Sequence, residues 1–306
     1  MTNIRYGLCC MHTALEERGH RFQTMTHKRF KDLGRDAAMP VLCERYLANL
    51  ITVRETLIEC AKNNWCYRVS SDIFPLMTLD EANVSYDALP NKRVLDHLFS
   101  QCAEIIAQHK IRVSCHPDQF NVLASENPVA VDRTVRELDH HGWFMTKLGA
   151  PLSYDAPINI HINATRGDMV DIVKRFMANF ERLTDDVKKR LVVENEDKGI
   201  WHASNLYYIF FAATKIPITF DYLHHKCNND GMSEADAFKL CAQSWHGHTP
   251  LFHYCESMPN QNNPRKHADY PTAIPDTYGT TVDLDYEFKM KDAAILRAGK
   301  LVKVAG

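Results

Sequence analysis

Leu191-Val192-Val193-Glu194-Asn195-Glu196-Asp197 sets three apolar residues directly against a run of carboxylates and an amide. An unbroken apolar run of this kind reads as a strand buried on both faces, the form strands take in parallel sheets. A carboxylate left bare at the tip of such a strand loses its hydration without compensation, so Glu194 calls for a cationic or metal partner. Polar Asn195, Glu196 and Asp197 read as the loop that follows, lying behind Glu194 or in solvent.

Outward from that stretch the same grammar repeats. Arg112 to Cys115 is a strand stopped by His116-Pro117-Asp118, and Ile158-Asn159-Ile160-His161-Ile162 is another. Pro217 to Asp221 leads into Tyr222-Leu223-His224-His225, Leu251 to Cys255 carries His253, and Thr281 to Glu287 closes the series. Ile4 to Cys10 and Cys66 to Ser70 bring the expected strands to eight. Helical periodicity fills the gaps. Leu42, Tyr46, Leu50, Val53, Leu57 and Ala61 recur at helical spacing over 41–62. Pro90 and Asn127-Pro128 open helices reaching to about 108 and 148. Further helices are expected over 168–182, over 204–213 with Ser204 as cap, over 233–243 with a Ser-x-x-Asp capping box, and from Lys291 onward. Residues 11–39 and 74–89 show no sustained period. Neither do residues 257–279, rich in Pro and Asn, which replace the helix after the seventh strand with a long loop.

Strands alternating with helices eight times over predict an α/β protein built as a (β/α)8 TIM barrel, with residues 1–306 forming one domain. The rival is a doubly wound open sheet. That fold expects a Gly-rich phosphate turn after its first strand, and neither GxGxxG nor GxxxxGK[ST] follows any strand here. With 306 residues and a net charge of −2, the chain suits one large barrel and has no global basic field to draw in nucleic acid. Any nucleic-acid surface must then be local. Ten cysteines without a CxxC pair sit in apolar runs or at strand ends, which fits small buried hydrophobes in a reducing compartment. Residues 1–5 lead straight into a strand and no apolar run has membrane length, so the reading is a cytoplasmic protein with no membrane contact.

In a barrel the C-terminal strand ends converge on one mouth. Taken in order, those ends carry His116, His161, Glu194, Asp221 with His224, His253 and Glu287, with His267 in the loop after the seventh strand. One such histidine alone is more often a hydrogen-bonded core residue. Glu287 is the weakest member, since Asp283, Asp285 and Glu287 alternate as a solvated face would. The coincidence across six successive strands favours a metal cluster. Imidazoles mixed with carboxylates suit Mn2+, Zn2+ or Fe2+ better than Mg2+ or Ca2+ alone. About eight ligands exceed what one ion uses, so two or three divalent ions sharing a carboxylate are expected, with mid-series Glu194 as the bridge. Closely spaced ions suit phosphodiester hydrolysis, where one generates hydroxide and the others stabilise developing charge. The same constellation also suits a sugar isomerase or epimerase.

Four segments resemble the signatures of the UV-damage endonucleases: Tyr67-Arg68-Val69-Ser70-Ser71, His116-Pro117-Asp118-Gln119-Phe120, Glu194-Asn195-Glu196-Asp197 and Asp221-Tyr222-Leu223-His224-His225. The resemblance runs in order from Ile4 to about Lys291. It implies a metal-dependent (β/α)8 enzyme, related to the apurinic endonucleases, that nicks duplex DNA immediately 5′ of a UV photoproduct and leaves 3′-hydroxyl and 5′-phosphate ends. By position it implies His116, His161, Glu194, Asp221, His224, His253, His267 and Glu287 as ligands. Among these, Glu194, His116, Asp221 and Glu287 are the catalytic set. Mn2+ is the first expectation for the ions, with Zn2+ or Mg2+ as alternatives. Gln119 and Phe120 match the family's lesion-probing pair, an apolar wedge being cheapest to insert where stacking is already poor. Arg68, Lys198, Lys226, Arg265, Lys266 and Lys289 are the cations near the mouth available to phosphates.

Three positions depart from the family. Pro75-Leu76-Met77-Thr78-Leu79 lacks the histidine usual after the second strand, Leu251 stands where some relatives carry a modifiable lysine, and Leu8 or Cys9 replaces an aromatic at the first strand's tip. These bear on a third ion and on the lesion spectrum. The reading is therefore a monomeric, nucleoid-associated endonuclease acting on UV-damaged double-stranded DNA. Its rivals are the sugar isomerase, which needs a small enclosed pocket and no wedge, and a DNA-damage binder without turnover.

Overall fold

Residues 4–305 are described by a computed structural model, in which eight strands, all paired in parallel, wind into a barrel. They are β1 (Ile4–Cys9), β2 (Cys66–Val69), β3 (Val113–Cys115), β4 (Ile158–Ile160), β5 (Leu191–Glu194), β6 (Ile218–Thr219), β7 (Leu251–Tyr254) and β8 (Val282–Tyr286). Their order is β6-β5-β4-β3-β2-β1-β8-β7. The barrel closes between β6 and β7 through one bridge, Asp221 to His253, where the His253 amide donates to the Phe220 carbonyl at 2.9 Å. Two of the expected ligands thus form the seam.

Because side chains alternate along a strand, the apolar residues of β4 and β5 that face the helices, Ile158, Ile160, Leu191 and Val193, are wholly buried. The intervening residues, Asn159 and Val192, point into the barrel, whose interior mixes apolar with polar side chains. At the N-terminal end of the strands, Asp283 accepts from Arg5 at 2.7 Å and from the buried Arg112 at 3.0 Å. Arg112 also donates to the carbonyls of Tyr154, Asp155 and Thr249. Burial would raise the Asp283 carboxyl, but the hydrogen bond from Arg5 and the charge of Arg112 hold it below its ordinary value. A solvated alternating face on β8 is thereby overturned: Asp283 and Asp285 are both buried and the side chain of Glu287 is 11% exposed. All three line the inside of the barrel.

Several helices match their sequence signals. The Asn127 side chain accepts from the Val129 amide ahead of helix Pro128–Lys147, Asp168 accepts from Val170 ahead of Met169–Phe180, and Ser233 accepts from Asp236 ahead of Glu234–Gln243. Elsewhere the chain differs from expectation. The long helix that leads into β2 is Arg35–Asn63, starting before Pro40, which reads locally as a stop. Proline only one turn into a helix forfeits a single backbone bond, so the helix runs through it. Ahead of it, residues 11–34 hold two short helices, Thr13–Glu17 and His27–Leu33, too brief to display a period. Ser204 is not a cap. Its hydroxyl lies 2.9 Å from His202 Nδ1 within a helix over 203–214 whose centre, Leu206–Phe211, is π-wound. A further short helix, Tyr222–Cys227, begins immediately after Asp221, whose Oδ1 caps it by accepting from the His224 amide at 2.7 Å. Among the described residues no helix stands between β7 and β8. That loop is pinned by the Glu256 carboxylate, which accepts from Thr272 and Ala273.

Candidate metal centre

Glu194, at the tip of β5, is 1% exposed and stands at the centre of the C-terminal mouth. Its Oε1 lies 2.9 Å from His224 Nδ1, while Oε2 lies 3.1 Å from His116 Nε2 and 3.0 Å from His253 Nδ1. The two oxygens therefore face different histidines. His116 reaches the mouth from just past β3, and its Nδ1 is tethered to the Pro117 carbonyl at 3.0 Å. His224 comes from the first turn of Tyr222–Cys227, held there by the Asp221 cap and by the Asn195 carbonyl 2.9 Å from its Nδ1.

Donor atoms gather into three groups, each spanning no more than 4.8 Å: His116, Glu194 and His253; Glu194, Asp221 and His224; and Asp221, His253 and Glu287. Six of the eight expected ligands are thus brought together. His161 stands beside them, its Nε2 3.9 Å from Glu194 Oε2 and its ring 5.2 Å from that of His116. His267 lies at the rim, with Nδ1 2.9 Å from the Glu287 carbonyl and 3.9 Å from its Oε2.

Asp221 Oδ2 is buried without a hydrogen-bond partner, and His253 Nδ1, though 3.0 Å from Glu194 Oε2, is not aligned to bond it. A buried acceptor left without a partner is costly, and an ion that takes its lone pair removes the cost. A mixed imidazole and carboxylate set fits Mn2+ or Zn2+. The electrostatics agree. Burial would raise Glu194, but His253 and His161 together with hydrogen bonds from His116 and His224 hold it well below the usual carboxylate range. Burial pushes Asp221 up to about 6, with His224 opposing and Glu194 adding to the rise. Burial takes His161 down to about 4. It would lower His224 and His253 too, but facing carboxylates prevail: Asp221 and Glu194 raise His224 well above its ordinary value, and Glu194 and Glu287 raise His253 to about 9.

Those directions predict a proton signature. Near pH 7 the metal-free rings of His224 and His253 carry protons, whereas ligation requires neutral imidazole. Uptake of a divalent ion such as Mn2+ by these residues would then release protons, with affinity rising with pH until His253 is neutral near pH 9. Calorimetric titration in buffers of different ionisation enthalpy checks this, the expected result being net proton release at pH 7 that shrinks as the pH rises through about 9.

Some residues of the mouth escaped the sequence reading. Asn159 on β4 donates to Glu194 Oε2, and Asn195, wholly buried, clamps β6 by accepting from the Asp221 amide at 2.7 Å and donating to its carbonyl at 3.0 Å. Glu196 is no solvent-facing loop acid: it is buried, accepts from the Asn163 amide at 2.7 Å, and is raised to about 7 by burial. Asp285 lies beneath His253. Alternation alone marks Asn159 and Asp285 as facing inward, once His161 and Glu287, two residues on, are known to do so.

Phe120, in the loop after β3, is 80% exposed, and Gln119 beside it is held through its carbonyl by the Asn163 side chain at 2.9 Å. A hollow of about 450 Å³ runs from this pair along Asn163 and Thr165 to Glu196 and Lys198. The cations near the mouth divide. Arg68 is largely shielded from solvent and ion-paired with Glu287, and Arg265 is paired with Asp197 at 2.9 Å, so neither is a free surface charge. Lys226, Lys266 and Lys289 touch only the neutral groups Ser257, Gln261 and Met258. Leu251 is buried within β7. Among the described residues no helix is long and apolar enough to cross a membrane.

The chain is 29% identical over 307 residues to a UV DNA damage endonuclease of Bacillus mycoides (strain KBAB4), covering 96% of this chain and 93% of that protein. A crystal structure of SacUVDE superposes with a TM-score of 0.82 at 26% identity, across 99% of both chains. Endonuclease IV from Thermus thermophilus shares the barrel alone, with a TM-score of 0.58 at 12% identity over 98% of this chain and 99% of that one. The family model described as UV-endonuclease UvdE matches residues 4–305, from the first strand to the last helix, and the chain belongs to that family.

Proposed function

We propose that this chain, a DNA-repair endonuclease by family, nicks duplex DNA immediately 5′ of UV photoproducts using divalent ions held at the barrel mouth. The observation that carries the reading is Glu194, whose two oxygens belong to different ligand groups, as a carboxylate bridging two ions requires. In this reading His116, His253 and Glu194 hold one ion, and Glu194, Asp221 and His224 hold another. Asp221 and Glu287 would offer a third position with His267 at its margin, since His253 has one lone pair to give, while His161 stands beside His116 and Glu194. When bound, divalent ions acidify water and supply the positive charge that a phosphodiester demands as it is cleaved.

The chain's own residues do the rest. Asn159 and Asn195 fix Glu194 and Asp221 in place, so the donors are set before substrate arrives. Burial would raise the Glu287 carboxyl, but Arg68 together with His253 and His267 keeps it ionised. Phe120, exposed in the loop after β3, enters a weakened base step in this reading, and Gln119 beside it pairs with a base left without its partner. Lys198, Lys226, Lys266 and Lys289 surround the mouth as phosphate contacts; Arg265 joins them by leaving Asp197. Water attacks the phosphorus and the bond to the 3′ oxygen breaks, leaving a 3′-hydroxyl and a 5′-phosphate.

The protein acts, in this reading, as a monomeric single domain in the cytoplasm beside the nucleoid. Its free cysteines, most of them buried, support a reducing compartment. The sugar-isomerase alternative shares the barrel and the kind of donor set, but the exposed Phe120 beside the mouth has no use in it. A duplex bearing one thymine dimer and a 5′ label tests the proposal: the labelled product must end in a 3′-hydroxyl immediately 5′ of the dimer and be extendable by a polymerase. Cleavage elsewhere, or a product that a polymerase cannot extend, would count against it.

A further inference from the structure

Asp285 is a carboxylate of the mouth that the three donor groups leave without a task. It lies on β8, in register with Gly7 of β1 and His253 of β7, and is wholly buried. Its Oδ2 accepts from the Ser114 hydroxyl at 3.2 Å and lies 3.9 Å from His253 Nε2. Its Oδ1 has no hydrogen-bond partner and rests over Gly7, where a Cβ would stand 2.1 Å away. The barrel keeps a residue without a side chain opposite this carboxylate, and so makes room for it. A desolvated carboxylate held by one hydroxyl is a poor packing element, and an apolar side chain would fill the space at less cost.

His253 supplies the reason. Its Nδ1 faces Glu194 Oε2 at 3.0 Å and Glu287 Oε1 at 3.4 Å, while Nε2, across the ring, faces Asp285. An imidazole that offers a lone pair at Nδ1 carries its proton at Nε2, and a carboxylate on that side selects the tautomer and the ring plane. We propose that Asp285 is a positioning residue for His253, holding it as the Nε2–H tautomer with Nδ1 aimed at the ligand group of His116 and Glu194. This rests on the reading of His253 as a ligand.

Mn2+ binding to the full-length protein, followed by equilibrium dialysis, tests the pair. Asp285→Asn is expected to weaken one Mn2+ site about ten- to a hundredfold. The same change in a His253→Gln background is expected to add nothing. Unchanged Mn2+ affinity in Asp285→Asn, with only a lower melting temperature of the metal-free protein, overturns the proposal in favour of a packing role. So does an equal further loss in the His253→Gln background. If His253→Gln itself binds Mn2+ as wild type does, the ligand assignment fails and the proposal with it. A measurement on the unaltered chain needs no variant to fold: imidazole nitrogen NMR spectra of the Zn2+-loaded protein must show His253 protonated at Nε2, and a proton on Nδ1 overturns the proposal.

Discussion

Glu194→Gln is expected to lower the rate of nicking at least about a thousandfold, a loss of roughly 4 kcal/mol of transition-state stabilisation. The amide keeps the shape of the side chain but replaces one oxygen with an NH2 group that has no lone pair for an ion. Since Oε1 and Oε2 serve different donor groups, either orientation of the amide breaks one of them. Metal content should fall by one ion per chain or more. The β5 ladder to β4 and β6 is made by backbone groups, so far-UV circular dichroism should match wild type. A folded variant that nicks at the wild-type rate would remove the bridging role.

The second large effect belongs to the wedge. Changing Gln119 and Phe120 together to alanine should lower kcat/KM on a dimer-containing duplex up to about a hundredfold, because base–aromatic stacking contributes about 1–3 kcal/mol per base. Thermal stability should not move, since Phe120 is 80% exposed and contributes little packing. Affinity for undamaged duplex should also stay the same, as it depends on phosphate contacts elsewhere. Competition between damaged and undamaged duplexes measures the split. A variant that loses both affinities equally would make Phe120 part of a general DNA surface and not a lesion probe.

The barrel was legible because several strands, β5 above all, are short apolar runs ended by a residue that changes polarity in one step, and because Asn127, Asp168 and Ser233 announce their helices. Short helices were not legible: Thr13–Glu17 and Tyr222–Cys227 have too few turns to show a period, so Asp221 did not read as a cap although it is one. The site was legible at strand tips and opaque one layer down. Asn159 and Asp285 stand two residues before tip ligands, where polar side chains normally mark a solvated face, and only closure of the barrel turns that face inward. Charges misled in the same way. Arg68 and Arg265 read as surface cations because the carboxylates that pair with them, Glu287 and Asp197, lie far away in sequence.

The central claim is that ions held around Glu194 cut DNA at UV lesions. Supercoiled plasmid, irradiated or untreated, incubated with the purified protein and either Mn2+ or a chelator, tests it most directly. Relaxation of the irradiated plasmid alone, in Mn2+ alone, is the result predicted. Equal nicking of both plasmids, or nicking that survives the chelator, would contradict it.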